Sequence, residues 1–527
     1  MSDETIDSQE APETNSDVPV VGRRRIALLD GACGTFSRVH IKGQILDVPI
    51  LQSHLNEPWS RTAMLPVSLI RRFRAVQDAG INPVRGPKLK VEVFVDDPKT
   101  GTDAEKTTPV AVWNDIIPKG KTTFSIEAGQ FEQLSPGRYL LRISLLGVES
   151  IRQHMTDLAY LGTGSSQYSQ KDTVVGYGKL RILDDDFQGP VVMSDIDQTF
   201  LDTQIDSRQG LTDTLFERIE SKRSLPAMDQ FYRQLRSNDI PLFFVSASPS
   251  FFRRTLEAVF ERFKIEHDGL FLKNLLGPIN NIVRKGFEVL SNLEDYMTQN
   301  MSEALERSAK FFGSTMQSMV DQIAYKLSVL LEQRLMMPTP TGEILIGDNT
   351  ESDYFIFTIY QYLLLGKLPV DKIEDYFYHL NFHNREAITR DAANQLAGLT
   401  RANLEIHGTV NPVRAVWIHQ VKPEYNTDTM LKAMTETDTI PNLTPLIDDG
   451  TIHQPIAYQN ALELSLLAFN ESLFDAEAVI QVAKHCLNQI LRDEKLDHEV
   501  LAKTVDNFHF KKTVYKDQIK KAVMAVD

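Results

Sequence analysis

The feature that most constrains the fold is an alternation of short apolar strands with helical segments between about residue 186 and residue 420. Apolar runs such as "PVVMS" and "PLFFVS" are typical of strands that are buried on both faces, and segments of helical periodicity such as "AMDQFYRQLRS" lie between them. Strands that alternate with helices are typical of parallel sheets covered by helices. We therefore predict an α/β fold with a doubly wound parallel sheet at 186–420.

Polar side chains follow these strands at the points where the strands end. Asp195 and Asp197 come directly after the first strand in "SDIDQTFLD", Ser246 closes the second, and Asp348 follows "EILIG". Because the carboxyl ends of parallel strands meet at one edge of a sheet, we expect these side chains to line a common crevice.

The acidic pair at i and i+2 indicates phosphoryl transfer. Asp195 could attack phosphorus and carry the phosphoryl group, and Asp197 could protonate the leaving oxygen and later deprotonate the attacking water. Thr199 follows the pair, as in phosphatases with an aspartate nucleophile. A helix N-cap and turn is the alternative interpretation.

Three further segments fit the same chemistry. The Ser246 hydroxyl could bind a phosphoryl oxygen without adding negative charge, and Lys326 on a predicted helix could offset the charge that develops at the nucleophile. Asp348 and Asp353 lie five residues apart in "GDNTESD" and offer the hard oxygen ligands that Mg²⁺ prefers. Alternatively, Ser246 is a turn residue that ends its strand, and Lys326 is a solvated helix lysine.

The four motifs together resemble the haloacid dehalogenase superfamily. Within it the chain is most similar to the fungal actin-patch phosphatidate phosphatase family and its bacterial relatives, whose "SDIDDT", "YVSNSP" and "LIGDSGQxD" segments resemble "SDIDQT", "FVSASP" and "LIGDNTESD" here. The "AYKLSVLLEQRL" segment resembles the lysine segment of that family. The likeness extends over roughly residues 24 to 420, with gaps.

The resemblance implies a magnesium site. Asp195 would be both the nucleophile and a Mg²⁺ ligand, and Asp197 would be the general acid and base that also binds the metal through its backbone carbonyl. Asp348 would complete the ligand set, and Asp353 would support the metal beside it.

The resemblance also implies the groups that contact the substrate. Ser246 would bind the phosphoryl group together with Thr199 and Ala247, and Lys326 would stabilise the intermediate. The chain departs from the family pattern at Gln198 and Ala247, where relatives usually have Asp and Asn.

Flanking segments differ in pattern from the central one. Residues 1–22 read as a disordered acidic tail, and residues 23–185 show the period-two pattern of a β-sandwich, with Leu89, Val91, Val93 and Val95 on one face. The segment 279–336 is predicted as a helical insertion or cap, and 421–527 as an α-helical C-terminal region.

Composition excludes several classes of partner and location. The net charge of −15 argues against nucleic acid as a partner. No apolar run reaches the roughly 18 residues needed to span a membrane. The acidic N-terminus does not resemble a signal or transit peptide, and Cys33 and Cys486 do not suggest a disulfide framework. We expect a cytoplasmic protein that can act at a membrane surface.

These observations predict a Mg²⁺-dependent phosphatase that acts through an aspartyl-phosphate, with a lipid phosphate such as phosphatidate as substrate. Two alternatives stay open at this point. One is a phosphatase of soluble phosphomonoesters, and the other is a catalytically silent module that binds a lipid or a protein partner.

Overall fold

A computed structural model describes residues 20–51, 82–96, 103–104, 106–118, 121, 123–131, 134–146, 173–202, 222–249, 253–273, 322–350, 352–382, 385–386, 388–421, 432 and 440–525. Most of the predicted acidic tail and residues 279–321 of the predicted insertion lie outside the described residues. The rest of that insertion, from residue 322 to residue 336, is a helix. The described chain is a mixed α/β protein with several sheets.

The described residues before position 184 form two sheets. The first joins β1 (Val20–Leu29), β3 (His40–Leu51), β4 (Asn82–Pro83) and β7 (Thr123–Glu127) in antiparallel pairs. The second has the order β2 (Ala32–Thr35), β9 (Thr173–Leu183), β8 (Gly137–Leu145), β5 (Lys88–Val95) and β6 (Ala111–Ile116). Its pairs are antiparallel, except that β2 runs parallel to β9.

The two sheets share one apolar core. Leu89, Val91 and Val93 are buried in it together with Ile41 from the facing sheet. Val95 differs from the prediction because it ends its strand beyond the core, and it is 55% exposed. The alternation of side chains across a strand therefore accounts for this part of the fold.

The central sheet has, among the described residues, the strand order β12 (Gly269–Lys273), β11 (Leu242–Pro249), β10 (Pro190–Ser194), β13 (Gly342–Asp348), β16 (Val413–His419) and β17 (Ile456–Tyr458). Each neighbouring pair is parallel. Two small antiparallel pairs join β14 (Asn381–Phe382) to β15 (Arg385–Glu386) and β18 (Ile490–Leu491) to β19 (Glu494–Lys495).

Helices pack on both faces of the central sheet. They are α1 (Met228–Ser237), α2 (Arg253–Phe263), α3 (Gln322–Met336), α4 (Asp353–Leu364), α5 (Ile373–Tyr378), α6 (Arg390–His407), α7 (Leu443–Asp448), α8 (Ala461–Asn470), α9 (Ala476–Cys486), α10 (His498–Asn507) and α11 (Lys516–Met524). Val192 and Ile344 face a core formed with α1, α2, α8 and α9. Val191 and Leu345 face the opposite core, which α3, α4 and α6 complete. No helix in the described ranges has both the length and the apolar character needed to cross a bilayer.

The two-sheet region packs directly on the central domain. Arg253, at the start of α2, donates to Asp30 at 2.6 Å, and Lys42 pairs with Glu332 on α3 at 2.8 Å. Met336, the last residue of α3, is buried in the core of the two-sheet region. Helix α3 is therefore held between the two parts of the chain.

The C-terminal segment is mainly helical, and it also contains strand β17 and the short hairpin of β18 and β19. Strand β17 lies beyond residue 420 and pairs with β16, so the segment adds a strand to the central sheet. Leu462 and Val479 from α8 and α9 are buried in the same core as Val192. A strand of three residues is too short to produce a recognisable period, and the sequence therefore did not reveal it.

A buried histidine on α6 predicts a pH-dependent stability. His407 Nε2 lies 3.0 Å from the carbonyl oxygen of Arg334, and its Nδ1 lies 2.9 Å from Thr339 Oγ1. Burial lowers the pKa of His407 to about 4 from its ordinary value of 6.5. At a pH between about 4 and 6.5, His407 therefore binds a proton in the unfolded chain but stays neutral in the folded chain.

This linkage stabilises the fold above a pH of roughly 6.5, and the stabilisation is lost as the pH falls towards 4. We expect the free energy of unfolding to fall by on the order of 1–3 kcal/mol between neutral pH and roughly pH 5, as measured by urea denaturation. His407→Gln keeps a donor for Arg334 but does not titrate, so its pH dependence should be shallower. If the free energy of unfolding of this variant depended on pH as steeply as that of the wild type, His407 would not be the cause of the pH dependence.

Candidate active site

The carboxyl end of β10 opens the site. The Asp195 backbone N–H donates to the carbonyl of Ile346 at 2.8 Å, so the chain still follows the sheet where the strand ends. The next residues turn back: Gln198 adopts a positive φ of 55°, and its N–H donates to the carbonyl of Leu201 at 2.9 Å. This turn, which we call the Asp195–Thr199 loop, presents Asp195 and Asp197 at the sheet edge.

Three predicted carboxylates come together there. Asp195, Asp348 and Asp353 are buried, and each offers a carboxylate oxygen within 4.8 Å of the others. The close approach depends on Gly347, because a Cβ atom at that position would lie 2.4 Å from Asp353 Oδ2. Thr350 fixes Asp348 in turn, since its backbone N–H donates to Asp348 Oδ1 at 2.6 Å.

Lys326 lies between two of these carboxylates. Its Nζ atom donates to Asp195 Oδ1 and to Asp353 Oδ1, each at 2.7 Å. The side chain is 2% exposed, so the interpretation of a solvated helix lysine is wrong. One buried ammonium offsets only part of the charge of three ionised carboxylates, so a further cation would be stabilised there.

Asp197 turns away from the carboxylate cluster. Its Oδ2 atom accepts hydrogen bonds from Ser246 Oγ at 3.2 Å and from Ser248 Oγ at 3.4 Å. The Ser248 backbone N–H donates to Ser246 Oγ at 3.1 Å, which orients that hydroxyl. The end of β11 thus binds Asp197, which lies outside the cluster of Asp195, Asp348 and Asp353.

The remaining predicted substrate contacts lie on the same two segments. Thr199 is fully buried in the Asp195–Thr199 loop, and its hydroxyl has no hydrogen-bond partner among the described residues. Ala247 is half-buried on β11 between Ser246 and Ser248. These two positions therefore border the site without contributing a bond to it in this structure.

Two residues at the site escaped the sequence reasoning. Ser248 is the second serine of "SASP" and donates a hydrogen bond to Asp197. The two residues are remote in the sequence, so only the structure shows this contact. His419 ends β16 next to Asp348 and binds the carbonyl of Gln198. His419 could have been identified from the sequence because, like Asp195, it lies at the end of an apolar strand.

The donors fit a magnesium ion. All three clustered groups are carboxylates with hard oxygen atoms, and none is a sulfur or imidazole ligand that would favour zinc. Mg²⁺ binds through a small number of carboxylates and keeps waters for the rest of its shell. Asp195, Asp348 and Asp353 are therefore the residues that could hold it.

Part of the chain is similar to a known protein family. Residues 190–310 match the family described as phosphatidate phosphatase APP1, catalytic domain. The matched range includes Asp195, Asp197 and Ser246, while Lys326, Asp348 and Asp353 follow it. No match to a curated protein was found.

The matched domain indicates an enzyme that hydrolyses phosphoric monoesters. More particularly, the chain has a phosphatidate phosphatase-like catalytic domain, and the prediction of an enzyme of this kind is confirmed.

Proposed function

We propose that the protein is a Mg²⁺-dependent phosphatidate phosphatase that works through an aspartyl-phosphate on Asp195. The observation that carries the proposal is the cluster of Asp195, Asp348 and Asp353 with the Lys326 ammonium at 2.7 Å from two of its members. The family match, which contains the first aspartate pair, supports the choice of phosphatidate as substrate.

In the first step an Asp195 carboxylate oxygen attacks phosphorus and the bond to the ester oxygen breaks. Asp197 gives its proton to that oxygen, so the alcohol leaves neutral. Ser246 would bind a phosphoryl oxygen, and its hydrogen bond to Asp197 at 3.2 Å keeps the acid beside the reacting bond.

In the second step water attacks the phosphorus of the aspartyl-phosphate. Asp197, now a carboxylate, accepts the proton of the water, and the bond between phosphorus and Asp195 breaks to release inorganic phosphate. Lys326 stays beside Asp195 through both steps and offsets the negative charge on the transferring group.

The magnesium ion would be held by Asp195, Asp348 and Asp353, with the Asp197 backbone carbonyl as a further ligand implied by the resemblance. When bound, it would supply a positive charge that polarises the phosphoryl oxygens and orients the group for in-line attack. The three carboxylates would otherwise repel an anionic substrate, so the ion is also needed for binding.

We further infer the finer fold assignments from the arrangement of strands. The central sheet would be a doubly wound sheet of the haloacid dehalogenase kind, because helices cover both faces and the acidic residues follow β10 and β13. The two sheets of the N-terminal region, which share one core, would form a β-sandwich. Cytoplasmic action at a membrane surface stays a prediction from the sequence.

The proposal predicts both a substrate preference and a metal requirement. The purified protein should release phosphate from phosphatidate dispersed in detergent micelles, and EDTA should abolish that release until Mg²⁺ is restored. p-Nitrophenyl phosphate and glycerol 3-phosphate serve as soluble comparisons at matched concentration.

Each other outcome contradicts a defined part of the proposal. Faster turnover of the soluble esters would replace the lipid substrate by a soluble one. Turnover that persists in EDTA would show that the reaction does not require a metal ion. If no phosphoester is hydrolysed, the interpretation as a silent binding module takes over.

A further inference from the structure

We propose that Arg492 and His419 form a positioning relay that holds the backbone of the Asp195–Thr199 loop, so that the C-terminal segment helps to build the active site. This inference rests on the proposed function for its catalytic consequence, although the relay itself is a structural feature. His419 and Arg492 both lie far beyond the range matched by the family.

His419 lies in a row of residues at the carboxyl edge of the central sheet. In the register of the parallel strands it is flanked by Asp348 on β13 and by Tyr458 on β17. The Tyr458 ring stacks on the imidazole with 5.3 Å between ring centroids and an angle of 28°. The imidazole is buried, and this stacking restricts its rotation.

The hydrogen bonds of His419 with Gln198 and Arg492 favour the tautomer that carries its proton on Nδ1. Nδ1 lies 2.5 Å from the carbonyl oxygen of Gln198, which can only accept, so Nδ1 carries the proton. Arg492 Nη2 lies 3.1 Å from Nε2 and can only donate, so Nε2 is the acceptor. Besides these two partners, the backbone of Gln459 makes a hydrogen bond to the ring.

Arg492 is itself held on a tight turn. It follows β18 and precedes β19, and both Arg492 and Asp493 have positive φ angles, of 50° and 67°. A two-residue connection with positive φ at both positions is the favoured turn between antiparallel strands. The guanidinium thus reaches His419 from a hairpin turn in the C-terminal segment.

The relay acts on Gln198, the residue that follows the general acid Asp197. Gln198 has a left-handed backbone at φ 55°, a conformation that is strained for a residue other than glycine and persists only where neighbouring contacts hold it. The hydrogen bond from His419 is one such contact. Relaxation of this turn would shift the Asp197 carboxylate away from Ser246 and from the leaving oxygen.

Two variants of equal size separate the hydrogen bond from the packing of the side chain. Asparagine can place its amide N–H near the position of Nδ1, whereas leucine has the same shape and no donor. His419→Leu should lower kcat by about 10–100-fold with little change in KM, because a misplaced general acid affects the chemical step more than binding. His419→Asn should recover most of that loss.

Nitrogen NMR of His419 tests the relay without reference to activity. In the wild-type protein at neutral pH we expect Nδ1 to be protonated and Nε2 to be bare, and Arg492→Ala should shift the ring towards the opposite tautomer. A wild-type ring with its proton on Nε2 overturns the relay, even if the protein is an active phosphatase.

The kinetic outcomes separate the two proposals. Equal kcat values for His419→Leu and wild type overturn the catalytic consequence of the relay and leave the proposed function intact. Equal losses in the Leu and Asn variants would assign His419 a packing role only. A wild-type protein that hydrolyses no phosphoester contradicts the proposed function, while the NMR result still decides the relay.

Discussion

Asp195→Asn should reduce the hydrolysis of phosphatidate by about 10⁴-fold or more, the scale at which loss of a nucleophile acts in enzymes with covalent intermediates. The amide cannot form an acyl phosphate under these conditions, and it also removes one charge from the cluster with Asp348 and Asp353. Folding should persist, because the substitution is nearly isosteric and relieves repulsion between buried carboxylates. Phosphate release by wild type and variant, measured in Mg²⁺, gives the comparison.

Asp202→Asn provides the matched control for this prediction. Asp202 lies seven residues further along the chain, is exposed, and lies outside the carboxylate cluster, so its neutralisation should leave the rate near that of wild type. If Asp195→Asn retained more than a small part of the wild-type rate, Asp195 would not be the nucleophile. The thermal unfolding of both variants shows whether a lost rate reflects a lost fold.

Lys326→Met should destabilise the metal-free protein by about 3–5 kcal/mol, the scale expected when one partner of a buried ion pair is removed. The Lys326 ammonium donates to Asp195 and Asp353 at 2.7 Å, so the variant leaves two buried carboxylates without their shared cation. Urea denaturation in EDTA measures the loss. Mg²⁺ should recover part of the stability, since the ion replaces the missing positive charge, while the catalytic rate stays low.

A double-mutant cycle with Asp353→Asn distinguishes this electrostatic account from simple loss of packing. If the pair interacts, the double variant should be more stable than the sum of the two single losses predicts, by about 0.5–3 kcal/mol. Strictly additive losses would mean that Lys326 stabilises the protein through its alkyl chain. In that case its predicted role at the intermediate would lose its electrostatic basis.

Much of the fold could be predicted because its elements have strong local periods. The run "PVVMS" coincides with strand β10 (Pro190–Ser194), and the apolar segment that begins at Asp353 is the buried helix α4. Strand β17 could not be predicted in this way, since three residues provide no period and pair only because β16 is already in place. The packing of α3 between the two parts of the chain is likewise invisible in its own sequence.

The site was predictable in outline for a related reason. Residues that follow parallel strands meet at one edge whatever the connecting segments are, so Asp195 and Asp348 could be expected to meet. The orientation of each side chain could not. Asp197 faces Ser246 and Ser248 rather than the cluster of carboxylates, which depends on the turn at Gln198.

By itself, then, the sequence determined that a parallel sheet would gather aspartates at one edge, because side-chain period and strand direction are properties of local segments. Only the tertiary structure decided that Lys326 reaches Asp195 across 131 positions and that His419 with Arg492 supports the loop beside it. Such contacts join segments that are remote in the chain, and their distances follow from the packing of whole elements against one another rather than from any local pattern.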